Sequence, residues 1–181
     1  GIMNSTLTNN APFHHAELVQ IFGENACQAL APSLRIDGVS TDTRTLEAGN
    51  IFVALRGERF DGHRMIPEAL DKGAGAAIVE SSSATDITDK SAPLLTVANS
   101  LSALGALAHF HRRRFAIPIV AVAGSAGKTT TKEMTARLLK EHFTVLKTEG
   151  NFNNQVGVPL TLLRLSAAHT AAVIEIGTNE P

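Results

Sequence analysis

The run Ile119-Val120-Ala121-Val122-Ala123-Gly124-Ser125-Ala126-Gly127-Lys128-Thr129-Thr130 decides how the rest of the chain is read. Its first residues are apolar and partly β-branched, which predicts a buried strand ending at a glycine. Beyond Thr130, the stretch Lys132-Glu133-Met134-Thr135-Ala136-Arg137-Leu138-Leu139 has the spacing of an amphipathic helix. Strand, small-residue loop and helix in that order make a cradle for phosphate. N–H groups at the helix start point at the anion, and the helix dipole favours negative charge there. Ser125 and Ala126 keep the loop small, while Gly124 and Gly127 let its backbone curl round a phosphate. Lys128 is placed to reach β- and γ-phosphates, and the Thr129 hydroxyl to sit on Mg²⁺. The expected triphosphate-binding segment therefore runs through Gly124, Ser125, Ala126, Gly127, Lys128, Thr129 and Thr130. The longer form of the motif has a glycine where this chain has Val122, so the working pattern is the shorter G-x-x-G-K-T-T. A purely structural turn would use the glycines but has no need of the lysine.

Downstream, strands are expected at residues 143–146 and 171–177 and a helix at 160–165. Glu175 interrupts the last of these apolar strands near its C-terminal end, which is where open parallel sheets bind ligands. It reads as a Mg²⁺ carboxylate or as a strand end that reaches solvent, and the cost of burying an unpaired carboxylate favours the first. The Asn151-x-Asn153-Asn154 cluster falls on the same side of the sheet by topology. Asparagines also suit turns, because they bond their own backbone, so both readings stay open. Three strands are fewer than nucleotide-binding sheets normally carry. The chain is thus expected to hold the first part of such a sheet, with an apolar edge and face exposed.

Upstream, a helix is expected at 13–22 and a half-exposed alternating strand at 34–42. Further strands are expected at 51–55, 76–80 and 94–97, and helices at 66–72 and 101–114, with a polar loop across 81–92. Alternating strands and helices make this a small α/β domain. Pro118 disfavours helix at Ile117 and marks a boundary. The expected organisation is a small N-terminal α/β substrate domain, residues 1–114, then a truncated P-loop parallel-sheet domain, residues 115–181. Two polar loops, Ser40-Thr41-Asp42-Thr43-Arg44 and residues 56–63 with Asp61 and His63, flank one apolar strand pair. Arg44 can clamp a phosphate through parallel N–H bonds and His63 can donate to one. The same residues suit a turn with a capping Asp and an Asp–Arg pair.

Composition excludes several classes. The 181 residues are 44% hydrophobic and 18% charged, which suits a packed core rather than disorder. A formal net charge of −1 gives no electrostatic case for nucleic acid. Lone Cys27 excludes an internal disulfide framework and fits a reducing compartment. No apolar run approaches the roughly 20 residues that span a bilayer, so no membrane insertion is expected. No signal-peptide pattern is visible, and the cytoplasm is the expected compartment. The histidines show no zinc-ligand spacing: His109 and His111 sit two apart on a helix and face different directions.

Taken together, these stretches resemble the Mur ligases of bacterial cell-wall synthesis. The likeness runs from Ser40-Thr41-Asp42-Thr43-Arg44 through Gly49-x-Ile51-Phe52-Val53-Ala54-Leu55-x-Gly57-x-x-Phe60-Asp61-Gly62-His63 and the phosphate loop. It continues through Gly150-Asn151-Phe152-Asn153-Asn154-Gln155-Val156-Gly157-Val158-Pro159-Leu160-Thr161-Leu162-Leu163 to Ile174-Glu175-Ile176-Gly177. The Asn-Asn-x-x-Gly-Val-Pro segment is the specific one, and it looks closest to the branch that adds a dipeptide. The short phosphate loop is the family's own form, which accounts for Val122. The resemblance implies an ATP-dependent ligase of peptidoglycan precursor synthesis that joins D-alanyl-D-alanine to UDP-N-acetylmuramoyl-tripeptide through an acyl phosphate. It implies ATP on Lys128 and the loop, and Mg²⁺ on Thr129 and Glu175. It also implies the UDP end on Ser40, Thr41, Asp42, Arg44, Asp61 and His63, with Asn153 and Asn154 near the substrate. Family members are much longer, so the chain alone is expected to be an inactive fragment. Two other classes stand beside this one. One is a P-loop kinase or NTPase acting on another small molecule, which product analysis separates. The other is a non-catalytic UDP-sugar and nucleotide-binding module, which a turnover assay separates.

Overall fold

Gly38 divides the alternating stretch at 34–42, which the sequence presents as one strand, into two strands of different sheets. It sits at φ +91°, and a Cβ there would lie 2.3 Å from the Asn9 carbonyl oxygen and 2.6 Å from Asn50 Nδ2. Only glycine takes that turn in that space. The structure is a computed structural model that describes residues 7–178; residues 1–6 and 179–181 lie outside it. β1 (Pro12–His14) leads into α1 (His15–Phe22) and pairs antiparallel with β2 (Arg35–Asp37). Past Gly38 the chain enters a second sheet as β3 (Val39–Ser40). The side-chain amide of Asn9 finishes that edge, donating from Nδ2 to Val39 O at 2.9 Å and accepting from Val39 N at 3.0 Å.

β4 (Ile51–Val53), α2 (Ile66–Asp71), β5 (Ala76–Glu80), α3 (Ser81–Ala84), β6 (Leu94–Val97) and α4 (Ser100–Arg112) complete the first unit's elements. The sheet is parallel throughout, in the order β3-β4-β5-β6. Phe52, Ala54, Ile66, Ala69, Ala77 and Val79 form a buried cluster between sheet and helix. Because all four strands run the same way, their C-terminal ends share one edge. That edge carries residues 41–44 after β3, residues 54–61 after β4 and the short helix α3 after β5. The one-turn α3 replaces the start of the loop expected at 81–92; its four residues are too few to show a period.

Contacts divide the chain between Leu107 and Ala108, so the last turn of α4 belongs with the second unit. His111 fixes that turn from the inside. It is buried, its Nε2 donates to Leu165 O at 2.8 Å and its Nδ1 accepts from Arg114 at 2.9 Å. Its ring meets Phe115 edge-on at 5.0 Å.

The second unit runs β7 (Ile119–Val122), α5 (Lys128–Leu139), β8 (Val145–Lys147), α6 (Gly157–Leu162) and β9 (Ala171–Glu175). Its strands are parallel in the order β7-β9-β8, and every residue of the central β9 is buried. β7 is an edge strand, and it is not the fully buried strand its composition suggests: Val120 and Ala121 are exposed. Along α5, Met134 and Leu138 are 61% and 68% exposed. Exposed apolar side chains thus lie on both β7 and α5. Among the described residues, no helix is long and apolar enough to cross a membrane.

His111 gives the second unit a pH dependence. Burial, partly offset by the bond to Leu165 and reinforced by Arg114, holds its pKa below the usual imidazole value. The unfolded chain therefore takes up a proton before the folded one does. Stability should be full above the ordinary histidine pKa and fall as pH drops through it, by at most about 1.4 kcal/mol per pH unit for this residue. Denaturant titrations of the wild type and His111→Asn at neutral and mildly acidic pH check this. The wild type should lose stability on acidification, and the variant should lose less.

Candidate nucleotide and metal site

The phosphate loop is made by one backbone inversion. Gly127, the residue before α5, stands at φ +74° in the left-handed region, where a side chain is strained. That inversion turns the loop onto the helix axis, so the first N–H groups of α5, which have no acceptor inside the helix, open toward the loop. Gly124, Ser125 and Ala126 span the turn between β7 and Gly127, and Thr129 and Thr130 occupy the first helical turn. Lys128 folds back over the loop and donates to the Gly124 carbonyl. The same oxygen accepts from the Thr178 hydroxyl at 3.0 Å.

Pairing of β7 with β9 sets Val122 opposite Glu175, which carries the acid to the mouth of the loop. Glu175 is only 2% exposed and is held on several sides. Its backbone N–H donates to the buried Thr148 hydroxyl at 2.9 Å. Its carboxylate accepts from Thr129 Oγ1 at 3.2 Å and from Asn153 Nδ2 at 3.3 Å. Lys132 Nζ lies 3.6 Å from Oε2. Lys132 is itself 2% exposed and has Glu133 Oε1 at 3.4 Å. Glu133 is shared with Lys147 at 2.6 Å, a bond that, with the nearby lysine charges, outweighs burial and keeps its carboxyl below the usual range.

The sequence alone does not mark Lys132 and Thr148 as neighbours of Glu175. The available signal was spacing: Lys132 is four residues after Lys128, which places both on one helix face. Asn153 and Asn154 separate in role. Asn153 reaches Glu175, and its carbonyl accepts from Gly177 N at 2.7 Å. Asn154 is exposed, its side-chain oxygen accepting the N–H groups of Val156 at 3.2 Å and Gly157 at 2.7 Å at the start of α6.

In the first unit both polar loops follow strands at the C-terminal edge of the sheet. Ser40 Oγ donates to Asp42 O at 2.9 Å and accepts from Asp42 N, bracing the turn through Thr41. Arg44 spreads its guanidinium across both Asp42 oxygens, at 3.0 Å from Nε to Oδ1 and 2.7 Å from the terminal nitrogen to Oδ2, on an exposed surface. Its hydrogen bond holds the Asp42 carboxyl below the usual range. Asp61 accepts from His63 N at 3.0 Å and from His63 Nδ1 at 2.7 Å. Burial pushes the Asp61 carboxyl up, but these bonds and the Arg56 charge leave it lower than usual. The other ring nitrogen, His63 Nε2, accepts from Glu80 N at 2.9 Å. Both nitrogens of this buried ring are therefore engaged, and in place of a free phosphate donor His63 is a brace between the loop and β5. Arg56 adds a second tie, 3.4 Å from Glu80 and 3.7 Å from Asp61. Beside these ties a cavity of about 540 Å³ is lined by Arg56, Arg59, Phe60 and Arg64 among others.

Two family models match, one in each part of the chain. Residues 35–112 match the catalytic domain of the Mur ligase family, and residues 122–181 match the Mur ligase middle domain. The UDP-N-acetylmuramoyl-tripeptide–D-alanyl-D-alanine ligase of Synechocystis is 46% identical over 147 residues, covering 81% of this chain and 32% of the relative. The ligase of the same name from Escherichia coli is 45% identical over 146 residues, covering 81% and 31%. Among solved structures, MurF from Acinetobacter baumannii aligns with a TM-score of 0.79 at 37% identity, over 93% of this chain and 36% of that one. MurF from Thermotoga maritima in complex with ADP aligns with a TM-score of 0.70 at 38% identity, over 79% and 32%. The chain spans about a third of the length of the curated relatives it matches.

The brace made by His63 has a measurable consequence. His63→Ala removes the acceptor of the half-buried Glu80 N–H and should cost about 1–3 kcal/mol. Thermal denaturation of that variant, with Arg44→Ala as an exposed control, should show a large loss for the first and little change for the second.

Proposed function

Because the chain belongs to the Mur ligase family, we propose that it carries the UDP-substrate domain, residues 1–114, and the opening of the ATP domain, residues 115–181, of an ATP-dependent ligase. The ligase joins D-alanyl-D-alanine to UDP-N-acetylmuramoyl-tripeptide. The observation that supports this best is the hydrogen bond between Thr129 and Glu175, made across 46 residues beside a lysine-bearing phosphate loop. A P-loop kinase would explain both Lys128 and a buried acid; the Asn153-Asn154-x-x-Gly157-Val158-Pro159 segment, whose Asn153 amide reaches that acid, is what favours the ligase.

In the proposed reaction the tripeptide's terminal carboxylate oxygen attacks the γ-phosphorus of ATP, and the bond to the bridging oxygen breaks as ADP leaves. The amine of D-alanyl-D-alanine then attacks the acyl carbon, and the tetrahedral species expels phosphate as the nitrogen loses its proton. The loop N–H groups and Lys128 hold the triphosphate, with the ammonium passing from the Gly124 carbonyl to the β- and γ-oxygens. Thr129 and Glu175 offer hydroxyl and carboxylate oxygens, the donor set that Mg²⁺ prefers. When bound there, Mg²⁺ supplies charge neutralisation for phosphoryl transfer. Asn153 orients the acid, and Asn154 shapes the turn that presents Asn153.

The UDP end is assigned to the loop edge of the first unit, where Ser40, Thr41, Asp42 and Arg44 face the same side as the loop braced by Asp61 and His63. Arg44 is held in a planar two-point grip on Asp42, the geometry with which arginine also takes phosphate. With ATP as the phosphoryl donor, the reaction belongs in the cytoplasm.

Ligation by a polypeptide spanning the full length of the relatives tests the assignment. With ATP, Mg²⁺, the UDP-tripeptide and D-alanyl-D-alanine, Lys128→Ala should lower kcat by roughly 100-fold or more while the protein stays folded. Near wild-type turnover would make the loop a structural turn. The 181-residue chain given the same substrates should bind nucleotide without multiple turnovers. In the full-length protein, Arg44→Ala should weaken UDP-sugar-peptide binding by about 10–100-fold with ATP affinity unchanged. Equal loss of both affinities would point to misfolding.

A further inference from the structure

Lys132 stands out among the charged side chains because burial of a lysine is costly and this one is 2% exposed. Nothing in the phosphate-loop pattern calls for it. Its ammonium sits between two carboxylates, 3.6 Å from Glu175 Oε2 and 3.4 Å from Glu133 Oε1. Lys128, the other lysine of that helix face, is committed to the Gly124 carbonyl. Among the described residues, Lys132 is thus the cation placed against the Glu175 carboxylate.

We propose that Lys132 is a stand-in cation: it balances Glu175 while no divalent ion is present, and moves its pairing to Glu133 when a divalent ion takes the acid. The geometry suits an exchange because both partners are already within 4 Å and neither contact is a short hydrogen bond. Glu133 is partly exposed and shared with Lys147, so it can accept the second ammonium without a new charge being buried. Thr129, Asn153 and Thr148 hold the acid in position throughout. Lys132 is accordingly a positioning residue rather than a catalytic one. This inference rests on the reading of Glu175 as the divalent-ion carboxylate.

The test uses the 181-residue chain and Mg²⁺ with ADP, and reads thermal stability. Lys132→Met keeps the length of the side chain and removes its charge. Its Tm without ligand should fall by more than about 5 °C. If the lysine stands in for a metal, Mg²⁺·ADP should raise the variant's Tm by at least about 3 °C more than it raises that of the wild type. The excess should vanish in the Lys132→Met/Glu175→Gln double variant, and Lys132→Arg should behave as wild type. Equal Mg²⁺·ADP effects on wild type and Lys132→Met would overturn the proposal. If Lys132→Met does not fold without ligand, the double variant decides. Recovery of folding in the double variant, where the unpaired acid is gone, supports the pairing, and a double variant no more stable than Lys132→Met overturns it. Should Mg²⁺ leave ADP-dependent stabilisation of the wild type unchanged, it is the assignment of Glu175 that fails, which keeps the two outcomes apart.

Discussion

A carboxylate buried in the central strand of a parallel sheet must be paired, and the second unit is arranged round meeting that requirement at Glu175. Removing one partner of a buried ion pair typically costs about 3–5 kcal/mol, because a charge is left without water or a counter-charge. Thr129 comes from the first turn of α5, Lys132 from its second, Thr148 from the end of β8 and Asn153 from the turn before α6. α5 thus sends two polar groups to the carboxylate and the turn before α6 a third, while Thr148 takes the acid's backbone N–H. The fold and the site are built by the same contacts.

That arrangement explains why the phosphate loop lies where it does. Register between β7 and β9 sets Val122 beside Glu175, and the chain leaves β7 through the inversion at Gly127. The acid and the loop's open N–H groups thus lie at the same strand ends, which on the proposed reading puts a cation partner beside a phosphate partner. In the first unit the same logic is met with a different device. Parallel strands bring the loops after β3 and β4 to one edge, and the pairs Asp42–Arg44 and Asp61–His63 brace them.

Much of this was legible in the residues. The strand, glycine turn and helix through 119–139 were readable because glycines and an apolar period at fixed spacing set them. That Glu175 would be partnered was readable because an acid in an apolar strand is a local contradiction. Lys132 was not, since a lysine on a predicted helix reads as solvated, and its burial is set by β9, more than 40 residues along the chain. His63 was legible as a polar loop residue, but the partner that occupies its second nitrogen is a backbone group of β5, which composition cannot reveal. Residues 34–42 alternate like one strand, and only the space around Gly38 shows that the chain must turn there. The exposure of Val120 is hidden for a similar reason, because edge or centre is a property of strand order rather than of the strand.

The central claim is that Glu175 and the Lys128 loop act together as one nucleotide and divalent-ion site. Calorimetric titration of ADP into the 181-residue chain, with Mg²⁺ and with chelator, for wild type and Glu175→Gln, tests it most directly. Mg²⁺ should strengthen ADP binding to the wild type by about tenfold or more, and that gain should be lost in the variant while Mg²⁺-free binding persists. ADP binding that gains equally from Mg²⁺ in both proteins would contradict it.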